Sequence, residues 1–452
     1  MTIARRALLS VALLLLIAAA PVAQSENWVG TWATAVVARP PAAPSAPQAP
    51  WAPLAPLAPL APPAPQAPLA PQAPLAPQAP QAPQALQALQ IRDQTLRQIV
   101  HVSLGGTRVR VVFSNAFGTA PLTIGAAHLA LRAHDAAVVA GSGRPLTFSG
   151  RASTAVPPGA VIVSDPVALT VPAFADVAID VYLPGDTSSG TSPLTVHNAA
   201  FQTNYLSSPG NHSGAADFPV AATTAAWFFL GRVEVTPDGP AGAVVLLGDS
   251  LTDGTRSTPN TNNRWPDYLA RRLLKQPNIR MGVLNLGIAG NRLLGDGAGV
   301  SALARFDRDV LAQAGATHVI VLEGINDLGQ TRDIPPPSVE ELIAAHRQLI
   351  ARARAKGLRI YGATMLPFEG TMLGNVDTGY FTPEKDARRR AFNDWMRTSG
   401  EYDAVIDFEA AVRDPAAPGK LLPKYNGGDN LHLNDAGYEA LANTVDLALL
   451  RR

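Results

Sequence analysis

The amino-acid sequence predicts an antiparallel β domain followed by an α/β domain built on a parallel sheet. Its 452 residues exceed what one hydrophobic core usually organises. Short β-branched runs separated by Gly and Pro, typical of antiparallel strands, fill the first half. From Ala241 onwards, continuous apolar segments alternate with helix-length amphipathic ones, as in a parallel sheet covered on both faces. We therefore place the β domain at 24–238 and the α/β domain at 239–452.

The β domain is predicted from short segments of strand-like composition. They lie at 28–37, 96–104, 108–114, 122–131, 161–163, 167–171 and 177–182. Several antiparallel strands of this length must bury one face each, so we expect a sandwich-like packing of sheets.

The α/β domain is predicted from five apolar strands with helices between or after them. The strands lie at 243–247, 281–286, 318–322, 358–363 and 404–408, and the helices at 264–275, 301–313, 339–356, 383–398 and 435–450. In such sheets, functional residues lie at the carboxyl ends of the strands.

The N-terminus has the features of an export signal. Arg5 and Arg6 precede an apolar run over 7–20, and Ala23 offers a small residue for cleavage. The run is shorter than a membrane-spanning helix requires. We predict a signal peptide over 1–23 and a secreted or periplasmic protein without a stable membrane anchor. A retained anchor is the alternative, and the paired arginines leave both the Sec and the twin-arginine routes open.

Residues 40–90 form a near-repeat of Ala-Pro-Leu and Ala-Pro-Gln without a charged residue. Proline at every third position favours an extended polyproline II conformation and forbids a helix or a central strand. Because strand-like segments flank it on both sides, we expect this segment to interrupt the β domain. It is either a spacer or a polyproline ligand for a partner.

Charge and cysteine content exclude several classes of function. The formal net charge is +1, and removal of Arg5 and Arg6 with the signal would leave −1. Such a balance argues against a nucleic-acid partner. With no cysteine in the chain, disulfides, a cysteine nucleophile and thiolate metal sites are excluded. The histidines show no ligand spacing, so we expect no metal site.

Two segments suggest a serine nucleophile with its base. The first α/β strand runs into Gly-Asp-Ser-Leu-Thr-Asp-Gly, where Ser250 sits at a strand-to-helix turn that can present its hydroxyl above the sheet. Near the end of the chain, Asp429 precedes His432 by three residues. A serine hydroxyl needs a base, and the base needs an acceptor on its other nitrogen. Read singly, each segment is also compatible with an ordinary turn.

Two further strand ends carry candidate donors for an oxyanion. The second strand continues into a loop containing Gly290, and the third into Gly-Ile-Asn-Asp with Asn326. A glycine amide and an asparagine side chain can both donate to a developing oxyanion, as can the Ser250 amide. Each segment is also compatible with an ordinary turn.

Together, these four segments resemble the SGNH hydrolases, or GDSL esterases and lipases. Ser250, Gly290, Asn326, and His432 with Asp429 match the family's blocks in order over about 241–450. The resemblance implies a flavodoxin-like three-layer α/β/α fold and acyl-ester hydrolysis without a cofactor. It also implies a Ser250–His432–Asp429 triad, with the oxyanion held by Ser250, Gly290 and Asn326.

A looser resemblance extends to other parts of the chain. The segments NWVGTWATA, SNAFGTAPLTI, NRWPDYLARRL and ALARFDRDVL look like the secreted arylesterase/acylhydrolase subgroup associated with xylan degradation. We therefore expect a small-molecule or polysaccharide ester as substrate, with a short acyl group such as acetyl. A lipolytic enzyme for longer acyl chains and an inert glycan-binding protein are the alternatives. The oligomeric state stays open.

Two histidines of the first half lie in the polar stretch TVHNAAFQTNYLSSPGNHSG. We interpret His197 and His212 as loop residues, with the edge of an active-site cleft as the alternative. The sequence contains no Gly-x-Ser-x-Gly, which argues against a lipase of the α/β-hydrolase type.

Overall fold

The computed structural model describes residues 26–39, 91–187, 193–331 and 335–451. The predicted signal peptide (1–23) and the proline-rich segment (40–90) lie outside these ranges. Within them, no helix is both long and apolar enough to cross a membrane.

The first half of the described chain consists of β-strands. They are β1 (Val29–Ala33), β2 (Val37–Arg39), β3 (Arg92–His101), β4 (Gly106–Ser114), β5 (Leu122–Ile124), β6 (Ala126–His134), β7 (Ala137–Val138), β8 (Arg144–Leu146), β9 (Thr154–Val156), β10 (Val161–Val163), β11 (Val167–Val171), β12 (Asp176–Asp186), β13 (Leu194–His197), β14 (Asn204–Pro209), β15 (Val220–Thr224), β16 (Trp227–Phe228) and β17 (Leu230–Val235).

These strands pair antiparallel in two larger and two smaller sheets. One sheet has the order β1-β17-β4-β10, with β11 also on β4, and the other runs β15-β14-β3-β12-β6-β7, with β8 on β6. The small sheets are β16-β13-β2 and β5-β9. Alternate residues Val177, Ile179 and Val181 of β12 share a core with Val109 and Val111 of β4. The predicted antiparallel, sandwich-like domain is confirmed.

The second half alternates strands with helices. Its strands are β18 (Gly242–Gly248), β19 (Met281–Gly287), β20 (Ala316–Leu322), β21 (Arg359–Ala363), β22 (Ala404–Ile406), β23 (Arg413–Asp414) and β24 (Ala417–Leu421). Its α-helices are α1 (Ser250–Asp253), α2 (Trp265–Leu274), α3 (Ala302–Phe306), α4 (Ile325–Gly329), α5 (Val339–Ala355), α6 (Pro383–Thr398), α7 (Phe408–Val412) and α8 (Asp435–Thr444).

Five of these strands form a parallel sheet of order β19-β18-β20-β21-β22. Both faces are apolar because both are covered. Val244 and Leu246 of β18 pack with α2 and α8 on one face, whereas Val245 and Leu247 share a core with α3, α5 and α6 on the other. The predicted three-layer α/β/α fold is therefore confirmed.

Two predicted helices are shorter in the structure. The helix expected at 301–313 is capped by the Ser301 side chain and ends at Phe306, after which Asp307–Leu311 form a π-helical turn. The helix expected at 435–450 ends at Thr444, and Asp446 caps a separate 3₁₀ turn, Leu447–Leu450. A capping residue inside an apolar pattern, here Asp446, starts a new turn where periodicity alone would continue the helix.

The two domains are joined by close backbone packing between β1 and β19. A Cβ at Gly282 would lie 1.9 Å from the carbonyl oxygen of Gly30, and the Gly30 amide donates to the carbonyl of Ala314 at 2.9 Å. Val29 and Leu284 belong to one hydrophobic cluster. The β domain thus shares a core with one face of the parallel sheet.

Candidate active site

The carboxyl end of β18 presents Ser250 at the first residue of α1. The side chain of Asp249 accepts a hydrogen bond from the Leu251 amide at 2.9 Å and so caps this short helix. The helix ends after one turn at Gly254, whose φ of 102° favours glycine. A Cβ at Gly254 would also lie 2.1 Å from Cγ of Arg264. Strand end, cap and glycine together hold Ser250 in a tight, buried turn.

The structure brings Ser250, His432 and Asp429 together. The Ser250 hydroxyl donates to Nε2 of His432 at 2.9 Å, and Nδ1–H of His432 donates to Oδ2 of Asp429 at 2.8 Å. All three side chains are buried. A hydroxyl held by an imidazole whose other nitrogen is held by a carboxylate can act as a nucleophile, because the imidazole accepts its proton.

The Asp429 carboxylate is held by its own loop and by one arginine. Its Oδ1 accepts from the amides of Leu431 at 3.1 Å and His432 at 2.8 Å, and Nε of Arg256 donates to its Oδ2 at 3.2 Å. Burial alone would raise the pKa of Asp429, but the hydrogen bonds and charge of His432 and the two amides hold that pKa well below its usual range. Asp429 is therefore an anion that orients His432.

The backbone amides of Ser250 and Gly290 have no hydrogen-bond partner among the described residues. Their neighbours are engaged: the amide of Ala289 donates to Oδ2 of Asp253 at 2.9 Å, and that of Asn291 to the carbonyl of Ile288 at 2.9 Å. Gly290 has a φ of 76°. This left-handed conformation favours glycine.

Asn326 lies buried at the start of α4, with its side-chain amide fixed in one orientation. Its Oδ1 accepts from the hydroxyl of Tyr380 and from Nε2 of Gln330, both at 2.8 Å. Its Nδ2 donates to the carbonyl of Asn291 at 2.9 Å, which uses one of the two amide hydrogens. The second hydrogen has no acceptor among the described residues. The structure thus brings Asn326 to the loop that carries Gly290.

Arg305, fully buried at the end of α3, ties the strand ends together. It donates to the carbonyls of Gly248 at 3.0 Å and Leu286 at 2.8 Å. Gly248 is the last residue of β18, and Leu286 is the penultimate residue of β19. Its Nε donates to Oδ1 of Asn291 at 2.9 Å. One guanidinium therefore fixes the two strand ends and the loop beside Gly290.

The same guanidinium is the counter-charge of buried carboxyl groups below Ser250. Arg305 lies 3.4 Å from Glu323 and 3.0 Å from Asp309. Burial raises the pKa of Asp249 to about 7, and the charges of Asp327 and Asp253 act in the same direction. Burial also raises the pKa of Glu323 well above its ordinary value. Because a buried carboxylate without a counter-charge destabilises the fold, Arg305 is expected to stabilise this region.

The interpretation of His197 as a loop residue is wrong. His197 is the last residue of β13, buried at the domain junction, and its Nε2 lies 3.0 Å from Oδ1 of Asp253. The polar residues around it in sequence hid a strand that pairs with β2 and β16. His212 does lie in a loop, between β14 and β15.

Three further side chains at the site escaped sequence reasoning. Tyr380 and Gln330 hold Asn326, and Arg256 contacts Asp429. Gln330 lies four residues after Asn326, a helical spacing that offers a weak signal. Tyr380 and Arg256 carry no sequence signal, because they meet their partners only through the fold.

Residues 246–440 match the model of the GDSL-like lipase/acylhydrolase family. The search of curated proteins found no match.

Among solved structures, the chain is similar to an acetylxylan esterase from Geobacillus stearothermophilus, with 22% identity, 47% of this chain and 95% of that one covered, and a TM-score of 0.35. It is also similar to a GDSL-like lipase from Bacteroides thetaiotaomicron, with 16% identity, 46% and 87% covered, and a TM-score of 0.33. Residues 246–440 are thus similar to the GDSL-like lipase/acylhydrolase family, and the protein is a carboxylic ester hydrolase.

Proposed function

We propose that the protein is a secreted serine esterase that works through Ser250, His432 and Asp429 and an acyl-enzyme. The observation that carries this proposal is the unbroken hydrogen-bond chain from the Ser250 hydroxyl through His432 to Asp429. It supplies a nucleophile, a base and an anchor for the base in one buried cluster.

In the first half-reaction, Oγ of Ser250 forms a bond to the ester carbonyl carbon while its proton moves to Nε2 of His432. The tetrahedral intermediate then breaks its bond to the leaving oxygen, and Nε2 returns the proton to the departing alcohol. Water repeats the sequence on the acyl-enzyme and releases the acid. The Asp429 carboxylate stabilises the imidazolium in both halves.

The oxyanion of each tetrahedral intermediate is held by three donors. They are the amides of Ser250 and Gly290 and the second Nδ2 hydrogen of Asn326. The support for this assignment is that these donors remain free while their neighbours are engaged. Preorganised donors act most strongly when charge develops on the carbonyl oxygen.

The substrate is proposed to carry a short acyl group, such as acetyl, on a polysaccharide or an aryl alcohol. The support is the resemblance of NWVGTWATA, NRWPDYLARRL and related segments to the subgroup associated with xylan degradation. Export through the N-terminal segment, with cleavage after Ala23, would place the enzyme where polymeric esters occur. Mass spectrometry of the exported protein's N-terminus tests the cleavage.

A lipolytic enzyme for longer acyl chains is the second candidate. One observation favours it: the apolar side chains of Met372 and Val376 are 36% and 57% exposed, and the Met372 amide donates to the carbonyl of Asp429. Apolar surface beside the triad can bind an acyl chain or an aromatic leaving group. A series of p-nitrophenyl esters from acetate to palmitate separates the two, since kcat/KM should peak at acetate for the first candidate and at a long chain for the second.

The nucleophile is tested by Ser250→Ala. The variant should lose several orders of magnitude in kcat while its melting temperature stays close to that of the wild type. A serine-directed phosphonate should label the wild type at Ser250 and leave the variant unlabelled. Ser257→Ala is the matched control, because Ser257 is also buried and lies in the loop that follows α1. Activity above a tenth of the wild-type value in Ser250→Ala would contradict the proposal.

A further inference from the structure

His197 belongs to the β domain but reaches the turn that carries Ser250. Its Nδ1 lies 2.8 Å from the carbonyl oxygen of Ala35, and its Nε2 lies 3.0 Å from Oδ1 of Asp253 and 3.2 Å from the carbonyl oxygen of Ala199. The ring also packs against Trp227, with centroids 5.5 Å apart. His197 thus connects β13 to the last residue of α1.

The partners of His197 define its protonation. Carbonyl and carboxylate oxygens can only accept, so Nδ1 and Nε2 must both donate. The ring is therefore an imidazolium paired with the Asp253 carboxylate. Burial alone would lower the pKa of His197, but the charge and hydrogen bond of Asp253, with the two carbonyls, raise that pKa above its ordinary value.

Asp253 also contacts the loop that is proposed to supply an oxyanion donor. Its Oδ1 faces His197, and its Oδ2 accepts from the amide of Ala289 at 2.9 Å. Ala289 directly precedes Gly290, and Asp253 lies one helical turn after Ser250. A rotation of the Asp253 carboxylate would therefore shift the peptide that carries the Gly290 amide relative to Ser250.

Further polar contacts at the domain junction reach the loop that follows α1. The amide of Asn260 donates to the carbonyl of Phe201 at 2.8 Å, and Oδ1 of Asn260 accepts from the Thr203 amide at 2.7 Å. Asn260 lies in the loop that follows α1, and its φ is 64°. The β domain therefore contacts the segment after Ser250 at two places. One is the contact of His197 with Asp253, and the other is at Asn260.

We infer that His197 is a positioning residue of the hydrolase, through which the β domain sets the place of the Gly290 amide by way of Asp253 and Ala289. This inference rests on the proposed function. The link His197–Asp253–Ala289, called the interdomain link below, makes the β domain part of the catalytic apparatus. It acts on the transition state, because the Gly290 amide contacts the substrate oxygen when that oxygen becomes charged.

The test measures kcat and KM for p-nitrophenyl acetate, with kcat expressed per reactive serine titrated by a phosphonate. His197→Phe keeps a ring against Trp227 and removes both donors, whereas His197→Gln keeps one donor for Asp253. Misplacement of a reacting group by about 1 Å can cost about 10²-fold in rate. We expect kcat to fall about 10- to 100-fold in His197→Phe and less in His197→Gln, with KM within about twofold of the wild type.

His101→Phe is the matched control. His101 pairs with Asp176 at 2.7 Å, but this pair joins β3 to β12 within the β domain. The control should lower the melting temperature and leave kcat per titrated serine unchanged. His197→Phe removes the cation that is paired with the buried Asp253 carboxylate, so His197→Gln and Asp253→Asn carry the test should that variant not fold. Their double variant should lose no more kcat than the more affected single variant, since both break one link.

The outcomes separate the interdomain link from the proposed function. A wild type without ester turnover would overturn both. An active wild type, an inactive Ser250→Ala, and an unchanged kcat per titrated serine in the His197 variants would overturn the link alone and leave His197 a packing residue. Additive losses in the double variant would also overturn it. A graded loss of kcat at constant KM supports it.

Discussion

Substitution of the Asn326 side chain is the most discriminating test of the oxyanion site. Asn326→Ala removes the amide hydrogen proposed to bind the oxyanion and leaves the triad contacts in place. Because that contact matters chiefly when the carbonyl oxygen becomes charged, the loss should appear in kcat and not in KM. Loss of one such donor typically costs about 10²- to 10³-fold in kcat, or about 3–4 kcal/mol. Asn326→Asp should be at least as harmful, since it directs an acceptor at the oxyanion.

Tyr380→Phe supplies a graded companion to this variant. The Tyr380 hydroxyl donates to Oδ1 of Asn326, and Gln330 donates to the same atom. Without the hydroxyl, the amide keeps its substrate-facing hydrogen but loses one of two contacts that fix its rotation. A hydrogen bond of about 1 kcal/mol corresponds to about a fivefold loss of kcat. The expected order of kcat is wild type, Tyr380→Phe, Asn326→Ala.

The assay is steady-state hydrolysis of p-nitrophenyl acetate, with each variant normalised to its phosphonate-titrated serine. Tyr361→Phe is the matched control, because the buried Tyr361 donates to the carbonyl of Leu449 and has no contact with Asn326. It should lose stability and keep kcat. If Asn326→Ala mainly raises KM, Asn326 binds the ground state and the oxyanion assignment is refuted, while the Ser250 assignment stands.

Three further predictions concern charge, pH and metal. Arg305→Met should lower the free energy of unfolding in urea by about 3–5 kcal/mol, because it leaves Glu323 buried without its counter-charge. Arg347→Met, which breaks an exposed ion pair, should lower it by under about 1 kcal/mol. Equal losses in the two variants would contradict this prediction. Burial lowers the pKa of His346 to about 3, so unfolding takes up a proton below its unfolded pKa of about 6.5, and stability should fall by about 2 kcal/mol between pH 7 and pH 5. His346→Phe should lack this contribution, and an identical pH dependence of unfolding in both proteins would show that His346 is not the group responsible. Dialysis against EDTA should leave esterase activity unchanged if turnover runs through Ser250, and a loss that added metal restores would contradict the mechanism.

The architecture could be predicted from the sequence because the pattern of apolar residues within each element indicates which of its faces are buried. The continuous apolar runs of β18 and β20 require cover on both faces, so they predict a parallel sheet. The short β-branched run within β12 predicts an antiparallel strand. Helix α6 begins and ends where its pattern predicts, at Pro383 and Thr398. Periodicity overestimated the last helix because the capping residue Asp446 lies inside its apolar pattern.

The site was predictable only where a residue type and a local spacing together imply chemistry. Asp429 and His432 lie three residues apart in one loop, and their contact is local. The contact of His197 with Asp253 has no such signal, because 56 residues separate the pair and the short strand β13 is flanked by polar residues. Pairs that meet through topology leave no pattern within a window of sequence.

The contact surface between the two domains covers an edge strand of the parallel sheet in addition to carrying the proposed interdomain link. Strand β19 lies at the edge of the parallel sheet and would expose unpaired backbone groups if the β domain were absent. In the structure, the Val283 amide of this strand donates to Oγ of Ser103 at 2.9 Å, and β1 covers the buried Leu284. The strand that the β domain covers is the one that ends in the Gly290 loop. Shielding an edge strand and placing an oxyanion donor are therefore two consequences of the same contact surface.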